Sequence, residues 1–339
     1  MSIDPQAFWH ENYLGKEFDK IFSNGFFVSD ADLLKNDGDY TSYLLCGRPL
    51  VTRNTAGNIS TFENVCLHRA NLVDPLGAGN RPFRCGYHGW QYDGKGELER
   101  APLTTASCIS RRQLQSYQTV EKHGLVFASI NGSLPAEFAD PVVAQIGLDI
   151  GNVFHRDSLD HDANWKLLVE NVLESYHLSF VHQTSFVPTG ITSTSQSSTE
   201  YFDADSSFSI ANKDAGGSKN RVIPGANSDY VHAFVYPNLF ISITGGLVGF
   251  ISHFKPNSAA HTVLEWQLFE TPLLMSQKQV VRNFIKKNAI EFTNKVLNED
   301  LVLLNSSQMG VRYARGGHQI QEIEGRIAQF HKKYLEMMA

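Results

Sequence analysis

Two cysteines and two histidines form the most informative pattern in the chain. Cys66-Leu-His68 is followed, after sixteen intervening residues, by Cys85-Gly-Tyr-His88. Two thiolates can hold one iron of a [2Fe-2S] cluster while two imidazoles hold the other, and the two neutral ligands raise its reduction potential. The pattern therefore predicts a centre that accepts single electrons.

A structural zinc site is the alternative, because Cys2His2 ligation is common and short loops suit it. Zinc fingers usually place two cysteines together and then two histidines, whereas each segment here carries one of each. Gly86 and Gly89 allow tight turns in the second segment, and Trp90 can shield a cluster from water. These features favour the iron-sulfur interpretation.

Both segments are similar to those of a known family. Residues 66–69 (CLHR) and 85–94 (CGYHGWQYDG) resemble the Rieske domain of the Rieske non-haem iron oxygenases. Respiratory Rieske proteins add a cysteine to each loop and a membrane anchor, and this sequence has neither. The resemblance implies a [2Fe-2S] cluster held by the two cysteines and two histidines named above.

A second candidate metal site lies in the segment 170–182, which reads ENVLESYHLSFVH. His177 and His182 are five residues apart, a difference of about 140° on a regular helix, so the helix must end or distort near Leu178 if both bind one metal. A 2-His-1-carboxylate site needs one more acid and leaves positions on Fe(II) open for dioxygen and substrate. Surface or core histidines are the alternative, but an electron carrier upstream favours an iron that accepts its electrons.

The resemblance extends to this part of the chain through residues 164–166 (NWK), 170–171 (EN) and 176–177 (YH), followed by His182. It implies that His177 and His182 bind the iron. It also suggests that Asn171 lines the iron pocket, although an amide on the helix surface is an equally simple interpretation.

The third iron ligand implied by the family is an aspartate in a late helix. Asp300 fits that place, with Gln308 eight residues further on. Glu299 is the alternative ligand, and it could also be a solvated charge on the helix face.

Glu174 is a departure from the family pattern. Most members have Asp three residues before the first histidine ligand, where it links that histidine to a cluster histidine of the neighbouring subunit. On a helix Glu174 shares a face with His177, and the resemblance implies His88 of another subunit as its partner. A glutamate at this place hints at members that oxidise quaternary ammonium compounds such as carnitine or betaines.

Composition and charge exclude several classes of protein. The 339 residues carry a net charge of −6 without a long Lys/Arg run, which argues against nucleic acid as a partner. The chain starts without a secretory pattern and has no 18-residue apolar stretch, so we expect no membrane span and a cytoplasmic location. Cys46 and Cys108, the remaining cysteines, are expected to be isolated thiols rather than a disulfide framework.

Periodicity predicts an α+β protein with two domains. A helical arm (1–40) precedes an all-β Rieske domain (41–140) and a catalytic domain (141–339) whose antiparallel sheet is flanked by helices in a helix-grip-like arrangement. The residues 184–209, half of them Ser or Thr, are expected to form a mobile loop or a solvated insertion. The predicted helices cover residues 4–22, 165–182, 276–309 and the last part of the chain, and the predicted strands cover 49–53, 59–65, 124–130, 231–236, 239–243, 248–254 and 264–268.

Together these features predict a terminal oxygenase that hydroxylates or demethylates a small organic substrate with O2. A cis-dihydroxylating dioxygenase and a pure electron-transfer protein are the alternatives. No G-x-G-x-x-G or P-loop motif is present, so a ferredoxin or a flavin-dependent NAD(P)H reductase must deliver the electrons. The resemblance implies a homotrimer, because members of the family pass electrons between subunits arranged head to tail.

Overall fold

The computed structural model describes residues 2–103, 112–132, 134–210 and 229–339. It contains two compact units, which we call the N-terminal unit (Glu17–Ala136) and the C-terminal unit (Met1–Lys16 with Glu137–Ala339). The segment expected to form a helical arm, residues 1–40, is therefore shared between the two units. Cys46 is buried, and Cys108 lies outside the described residues.

The N-terminal unit is built on an antiparallel sheet with the strand order β1-β9-β8-β4-β3-β2-β5. A separate hairpin joins β6 to β7. The three strands predicted in this region are present as β3, β4 and β9, while the others were not predicted. The strands are β1 Phe26–Asp30, β2 Asp39–Leu45, β3 Arg48–Thr55, β4 Asn58–Glu63, β5 Gly77–Asn80, β6 Gln91–Tyr92, β7 Leu98–Arg100, β8 Ser116–Lys122 and β9 Leu125–Ser129.

The two Cys/His segments are loops beside the strands of this unit. The first begins just after β4 ends at Glu63, and the second lies directly before β6. Both cysteines are part of a buried cluster that includes Phe62, Phe83 and Tyr92. Packing of apolar side chains under the loops thus fixes the sulfur atoms while the rest of each loop stays at the surface.

The C-terminal unit has a larger antiparallel sheet with the order β10-β16-β15-β14-β13-β12-β11. The four strands predicted between residues 231 and 268 are all present, as β13 to β16. The strands are β10 Val153–His161, β11 Ser197–Phe202, β12 Asp205–Ile210, β13 Tyr230–Val235, β14 Leu239–Thr244, β15 Val248–Ser258 and β16 His261–Glu270.

Helices pack on this sheet, where α3 contacts β15 and α6 contacts β10. The predicted late helices correspond to α6 and α7, and the predicted leading helix is shorter than expected because a 3-10 turn at Pro5–Phe8 precedes it. The described α-helices are α1 Glu11–Lys20, α2 Asp140–Gln145, α3 Trp165–Val172, α4 Leu178–Val181, α5 Pro272–Met275, α6 Gln279–Val311 and α7 Gly325–Met338.

The prediction of one continuous helix over residues 165–182 is wrong, but the interruption lies just before Leu178, where the two histidines required the helix to end or distort. The helix α3 ends at Val172, and α4 begins six residues later at Leu178. The carboxylate of Glu174 accepts hydrogen bonds from the backbone amides of Tyr176 and His177. A side chain that satisfies these amides replaces the carbonyl partners of a continuous helix, so the chain turns before the first histidine.

The prediction of a loop over residues 184–209 is also wrong in its second half. Ser197–Phe202 and Asp205–Ile210 form an antiparallel hairpin at the edge of the large sheet. Serines face each other across the two strands, as in the 2.7 Å hydrogen bond between Ser198 Oγ and Ser209 Oγ. Cross-strand pairs of this kind stabilise a strand despite its polar composition.

The predicted α+β class is confirmed, with an all-β unit followed by a unit that combines helices with an antiparallel sheet. Among the described residues, no helix combines the length and the apolar composition needed to span a bilayer.

Candidate active site

The two Cys/His loops are closed by the same pair of backbone hydrogen bonds. In the first loop Cys66 N donates to Asn71 O at 2.8 Å and Ala70 N donates to Cys66 O at 3.0 Å. In the second loop Cys85 N donates to Trp90 O at 2.9 Å and Gly89 N donates to Cys85 O at 3.1 Å. The matching positions Ala70 and Gly89 both have a left-handed backbone, with φ of 55° and 72°.

The four predicted ligands are divided between the interior and the surface. Cys66 and Cys85 are buried, whereas His68 and His88 are exposed with ring centroids 4.4 Å apart. The indole of Trp90 stacks on His68 at 4.8 Å. This arrangement leaves the two sulfur atoms in an apolar environment and the two imidazoles at the protein surface.

Hydrogen-bond donors surround the sulfur atoms. The hydroxyl of Tyr92 lies 3.2 Å from Cys66 Sγ and accepts from Leu67 N at 3.0 Å, so its own hydrogen is free to point at the sulfur. The amide of Asn71 lies 3.6 Å from Cys85 Sγ. Burial raises the pKa of the Cys66 thiol, which disfavours an unligated thiolate. Two sulfurs with donors aimed at them and two adjacent imidazoles fit a cluster with one buried and one exposed iron.

The second candidate centre is formed by His177, His182 and Asp300. The Oδ1 atom of Asp300 lies 3.2 Å from His182 Nε2 and 3.9 Å from His177 Nε2. One potential ligand atom from each of the three residues lies within 4.8 Å of the others. Asp300 Oδ1 is buried and forms no hydrogen bond within the described parts of the chain. A buried carboxylate oxygen without a donor, facing two imidazole nitrogens, fits a divalent iron.

Each histidine is oriented by a second carboxylate. Glu174 contacts His177 Nδ1, and Glu299 Oε2 lies 2.7 Å from His182 Nδ1. These contacts hold the proton on Nδ1 and leave each Nε2 free to bind a metal. Glu299, predicted as the alternative ligand, therefore lies on the opposite side of the His182 ring from Asp300.

Hydrogen bonds also hold Glu299 in place. Ser185 Oγ donates to it at 2.6 Å and Thr184 Oγ1 donates at 3.2 Å. Burial alone would lower the pKa of His182, but the contacts with Asp300 and Glu299 outweigh it and raise the pKa. The site is thus anionic enough to attract a cation.

Glu170 belongs to a separate hydrogen-bonded group. Its carboxylate lies 2.7 Å from His318 Nδ1 and 2.9 Å from His331 Nε2, and Ile3 N donates to the other nitrogen of His331. Because all these contacts are satisfied, the group connects α3 and α7 to the N-terminal segment and has a structural role.

A cavity of about 480 Å³ opens beside the His/His/Asp centre. Its floor is one face of the large sheet, because residues directly opposite on neighbouring strands point to the same side. Residues that lie side by side on β12 to β16 form one row of this floor: Phe208, His232, Ser242, Phe250 and Leu268. A second row lies beside it: Ile210, Tyr230, Thr244 and Val248.

The opposite wall of the cavity is a stripe of α6 that ends at Asp300. Its members recur at the three- and four-residue spacing of one helix face. They are Ile285, Asn288, Ala289, Phe292, Thr293, Val296, Leu297 and Asp300. The cavity is therefore mostly apolar, with the candidate metal ligands at one end.

The wall of the cavity includes Asn171, which the family resemblance suggested as a pocket residue. Tyr230 and Phe240 also line the cavity. Phe234 packs against Phe330 in the core, with 6.2 Å between ring centroids. Sequence analysis missed Phe186, Phe208 and His232. For Phe208 and His232, the only available signal in the sequence was that every second residue of a strand faces the same side, in 206–210 and in 230–235.

Comparisons with known proteins agree with this architecture. Residues 149–339 match the family described as Ring hydroxylating alpha subunit (catalytic domain), and residues 25–118 match the Rieske [2Fe-2S] domain. The chloroplastic choline monooxygenase of Beta vulgaris is 25% identical over 363 residues, covering 97% of this chain and 76% of its own length. The chlorobenzene dioxygenase alpha subunit of Cupriavidus sp. (strain PS12) is 26% identical over 207 residues, covering 56% of this chain and 46% of its own length.

A solved structure has the same fold. The quaternary ammonium Rieske monooxygenase CntA superimposes with a TM-score of 0.80 at 19% identity, covering 100% of this chain and 95% of that chain.

The fold and the two centres define an oxidoreductase with a Rieske cluster and a mononuclear non-haem iron. The chain belongs to the ring-hydroxylating alpha subunit family, the catalytic subunits of the Rieske oxygenases. The predicted resemblance is confirmed, and the chain is a terminal oxygenase that hydroxylates or demethylates a small substrate.

Proposed function

We propose that His177, His182 and Asp300 hold the mononuclear iron of a Rieske monooxygenase. The proposal rests on one observation. The Nε2 atoms of both histidines face Asp300 Oδ1, a buried oxygen without a hydrogen bond among the described residues, at one end of an apolar cavity. When bound, the iron and the [2Fe-2S] cluster supply dioxygen activation and one-electron transfer. Cys66, His68, Cys85 and His88 hold the cluster.

The residues around the proposed iron ligands fix the protonation and the orientation of the two histidine rings. Glu174 and Glu299 hold the Nδ1 protons of the two histidines, so that Nε2 is unprotonated and directed at the metal. Asn171, in the cavity wall beside Glu174, is a polar contact for substrate or water. The phenyl rings of Phe186 and Phe292 line the cavity with centroids 5.1 Å apart, and Phe186 also packs on His182, so the surroundings of this proposed ligand are apolar.

Monooxygenation is favoured over cis-dihydroxylation. The choline monooxygenase is similar over nearly the whole chain, whereas the dioxygenase alpha subunit is similar over about half of it. Glu174 and the similarity to an enzyme named for choline support a quaternary ammonium compound as one candidate substrate, and the aromatic cavity wall suits such a cation.

We propose that the active assembly is a homotrimer in which Glu174 contacts His88 of the partner subunit. Glu174 lies between the apolar cavity and a second, polar cavity of about 430 Å³, from which another side chain can reach its carboxylate. The solved CntA structure provides insight into inter-subunit electron transfer in that protein. The family receives electrons from a ferredoxin or a reductase, and we propose a ferredoxin or a flavin-dependent NAD(P)H reductase as the donor here.

The test of the iron site is the replacement His177→Ala in the complete protein. We expect this variant to keep the absorption spectrum of the cluster but to lose the mononuclear iron and substrate-dependent O2 uptake with a surrogate reductase. The matched control is His261→Ala, since His261 is one third exposed and pairs with the exposed carboxylate of Asp160 at 3.2 Å. Unchanged O2 uptake by His177→Ala would contradict the proposal and favour a pure electron-transfer protein.

A further inference from the structure

A buried arginine lies beside the floor row of the apolar cavity, on the same face of the large sheet. Arg326, on the first turn of α7, is 4% exposed and donates from Nε to Ser206 Oγ at 2.8 Å. Its Nη1 atom lies 2.5 Å from Nε2 of His232, which is 5% exposed. Helix α7 is thus attached to the sheet through a guanidinium and an imidazole.

This contact fixes the tautomer of His232. A guanidinium can only donate, so Nε2 of His232 must accept and the ring proton must be on Nδ1. Burial lowers the pKa of His232 well below its usual value, and the charge of Arg326 acts in the same direction. His232 is therefore a neutral imidazole with an N–H group on the side away from Arg326.

Two donors of this pair have no partner in the described parts of the chain. They are His232 Nδ1 and Arg326 Nη2, both buried. No carboxylate among the described residues forms an ion pair with Arg326, and burial lowers the pKa of the guanidinium to about 9. A buried charge and a buried N–H group are costly without acceptors, so an oxygen acceptor brought to these donors is bound favourably.

His232 is part of the cavity floor, in the row between Phe208 and Ser242. A series of aromatic rings lies between His232 and the proposed iron site. The centroids of His182 and Phe186 are 5.4 Å apart, those of Phe186 and Tyr230 are 5.9 Å apart, and those of Tyr230 and His232 are 5.4 Å apart. A molecule bound beside the iron ligands can extend past these rings to His232.

We propose that His232 Nδ1–H binds an oxygen acceptor of the substrate, with a carboxylate preferred, and that Arg326 is the positioning residue that fixes this donor. The inference rests on the proposed oxygenase function and narrows its substrate class to molecules with an apolar or aromatic-binding body and an anionic oxygen group at the far end. The positive charge of Arg326 at Nε2 of His232 strengthens the Nδ1–H donor and favours an anion over a neutral acceptor.

The test compares probes that differ only in the carboxylate. One pair is 4-methoxybenzoate and 4-methylanisole, and the other is 4-(trimethylammonio)butanoate and butyltrimethylammonium. Calorimetry on the anaerobic, iron-loaded protein measures binding without turnover. A hydrogen bond to a charged group predicts about 10- to 100-fold tighter binding of the carboxylate in at least one pair.

Variants separate binding from folding. We expect His232→Phe and Arg326→Gln to reduce the preference for the carboxylate to less than about threefold, and Arg326→Lys to restore part of it. Phe250→Leu, in the same floor row, is the control and should weaken both members of a pair alike.

Equal binding within both pairs by the unaltered protein, or no binding of either carboxylate, would overturn the proposal even if the variants fail to fold. Both outcomes are measured by calorimetry and do not depend on O2 uptake. They can therefore be distinguished from a failure of the iron-site test, which is measured by metal content and oxygen consumption.

Discussion

At the scale of single residues, one imidazole is held between two neighbouring acids. Glu299 and Asp300 are adjacent on α6, about 100° apart around the helix, and they contact opposite nitrogens of His182. His177 is oriented differently, by Glu174 three residues before it. The two proposed ligand histidines therefore depend on different parts of the chain.

The adjacent acids should have separable effects on iron binding. We expect Asp300→Asn to lose the mononuclear iron, because it removes a ligand. Glu299→Gln should keep the metal with about 10- to 100-fold weaker affinity, since only the orientation of His182 is affected. Iron content after timed exposure to a chelator, with the cluster spectrum as an internal standard, measures both effects.

Glu291→Gln is the control for both variants, because Glu291 lies on the same helix with an exposed side chain. A greater loss of iron from Glu299→Gln than from Asp300→Asn would reverse the assignment of the two acids.

At the scale of elements, the helix that carries both acids is fixed to the sheet by a buried ion pair. Glu270, at the end of β16, is fully buried and accepts from Arg282 Nε and Nη2 at 2.7 and 2.6 Å. Lys286, one turn later on α6, lies 3.1 Å from the same carboxylate. This end of α6 sets the position of the stripe that leads to Asp300.

We expect Glu270→Gln to lower the free energy of unfolding by about 2 kcal/mol at neutral pH, because it leaves two partly buried cations without their buried partner. The hydrogen bond from Arg282 lowers the pKa of Glu270 from 4.5 to about 2. The carboxylate therefore contributes its full stability above pH 4.5 and loses it as the pH falls towards 2. Urea unfolding followed by circular dichroism between pH 7 and 3 tests both expectations.

The difference between the parent protein and Glu270→Gln should shrink below pH 4.5. Glu291→Gln again serves as the control, because its exposed pair with Lys287 at 3.8 Å contributes less than about 1 kcal/mol. A difference that stays constant down to pH 3 would show that Glu270 acts by packing rather than by charge.

At the scale of the whole molecule, the sequence within short segments was enough to predict the cluster loops and the strands that pair with the next strand along the chain. The Cys/His loops are closed by hydrogen bonds within six residues, so their sequence contains most of the information about their shape. The iron centre was harder, since Asp300 is 118 residues from His182 and only the family resemblance indicated it.

The remaining differences from the predictions have physical causes outside local periodicity. The interruption between α3 and α4 depends on a side chain, Glu174, that competes with helical hydrogen bonds. The hairpin of β11 and β12 depends on pairing across the sheet, which Ser-rich composition hides. The donor on His232 depends on Arg326, 94 residues later.

The proposed trimer predicts complementation between inactive chains. One chain carries His88→Ala and cannot hold the cluster, and the other carries Asp300→Asn and cannot hold the mononuclear iron. Coexpressed as mixed oligomers, they should regain substrate-dependent O2 uptake, because a cluster of one copy serves the iron of the next. Each variant expressed alone should be inactive.

A chain with both replacements, coexpressed with the Asp300→Asn chain, is the control and should remain inactive. Mixed oligomers without activity, despite full cluster and iron content in the respective chains, would favour electron transfer within one chain.

The placement of His182 between two consecutive acids also limits how the gene can vary in length. Deleting or inserting one codon between Arg282 and Glu299 would rotate both acids by about 100° relative to the anchored start of α6. The amino-acid composition would hardly change, yet neither carboxylate would contact its nitrogen atom of His182. Functional relatives of this chain should therefore tolerate length variation in the turn after α6 and not within these sixteen intervening codons.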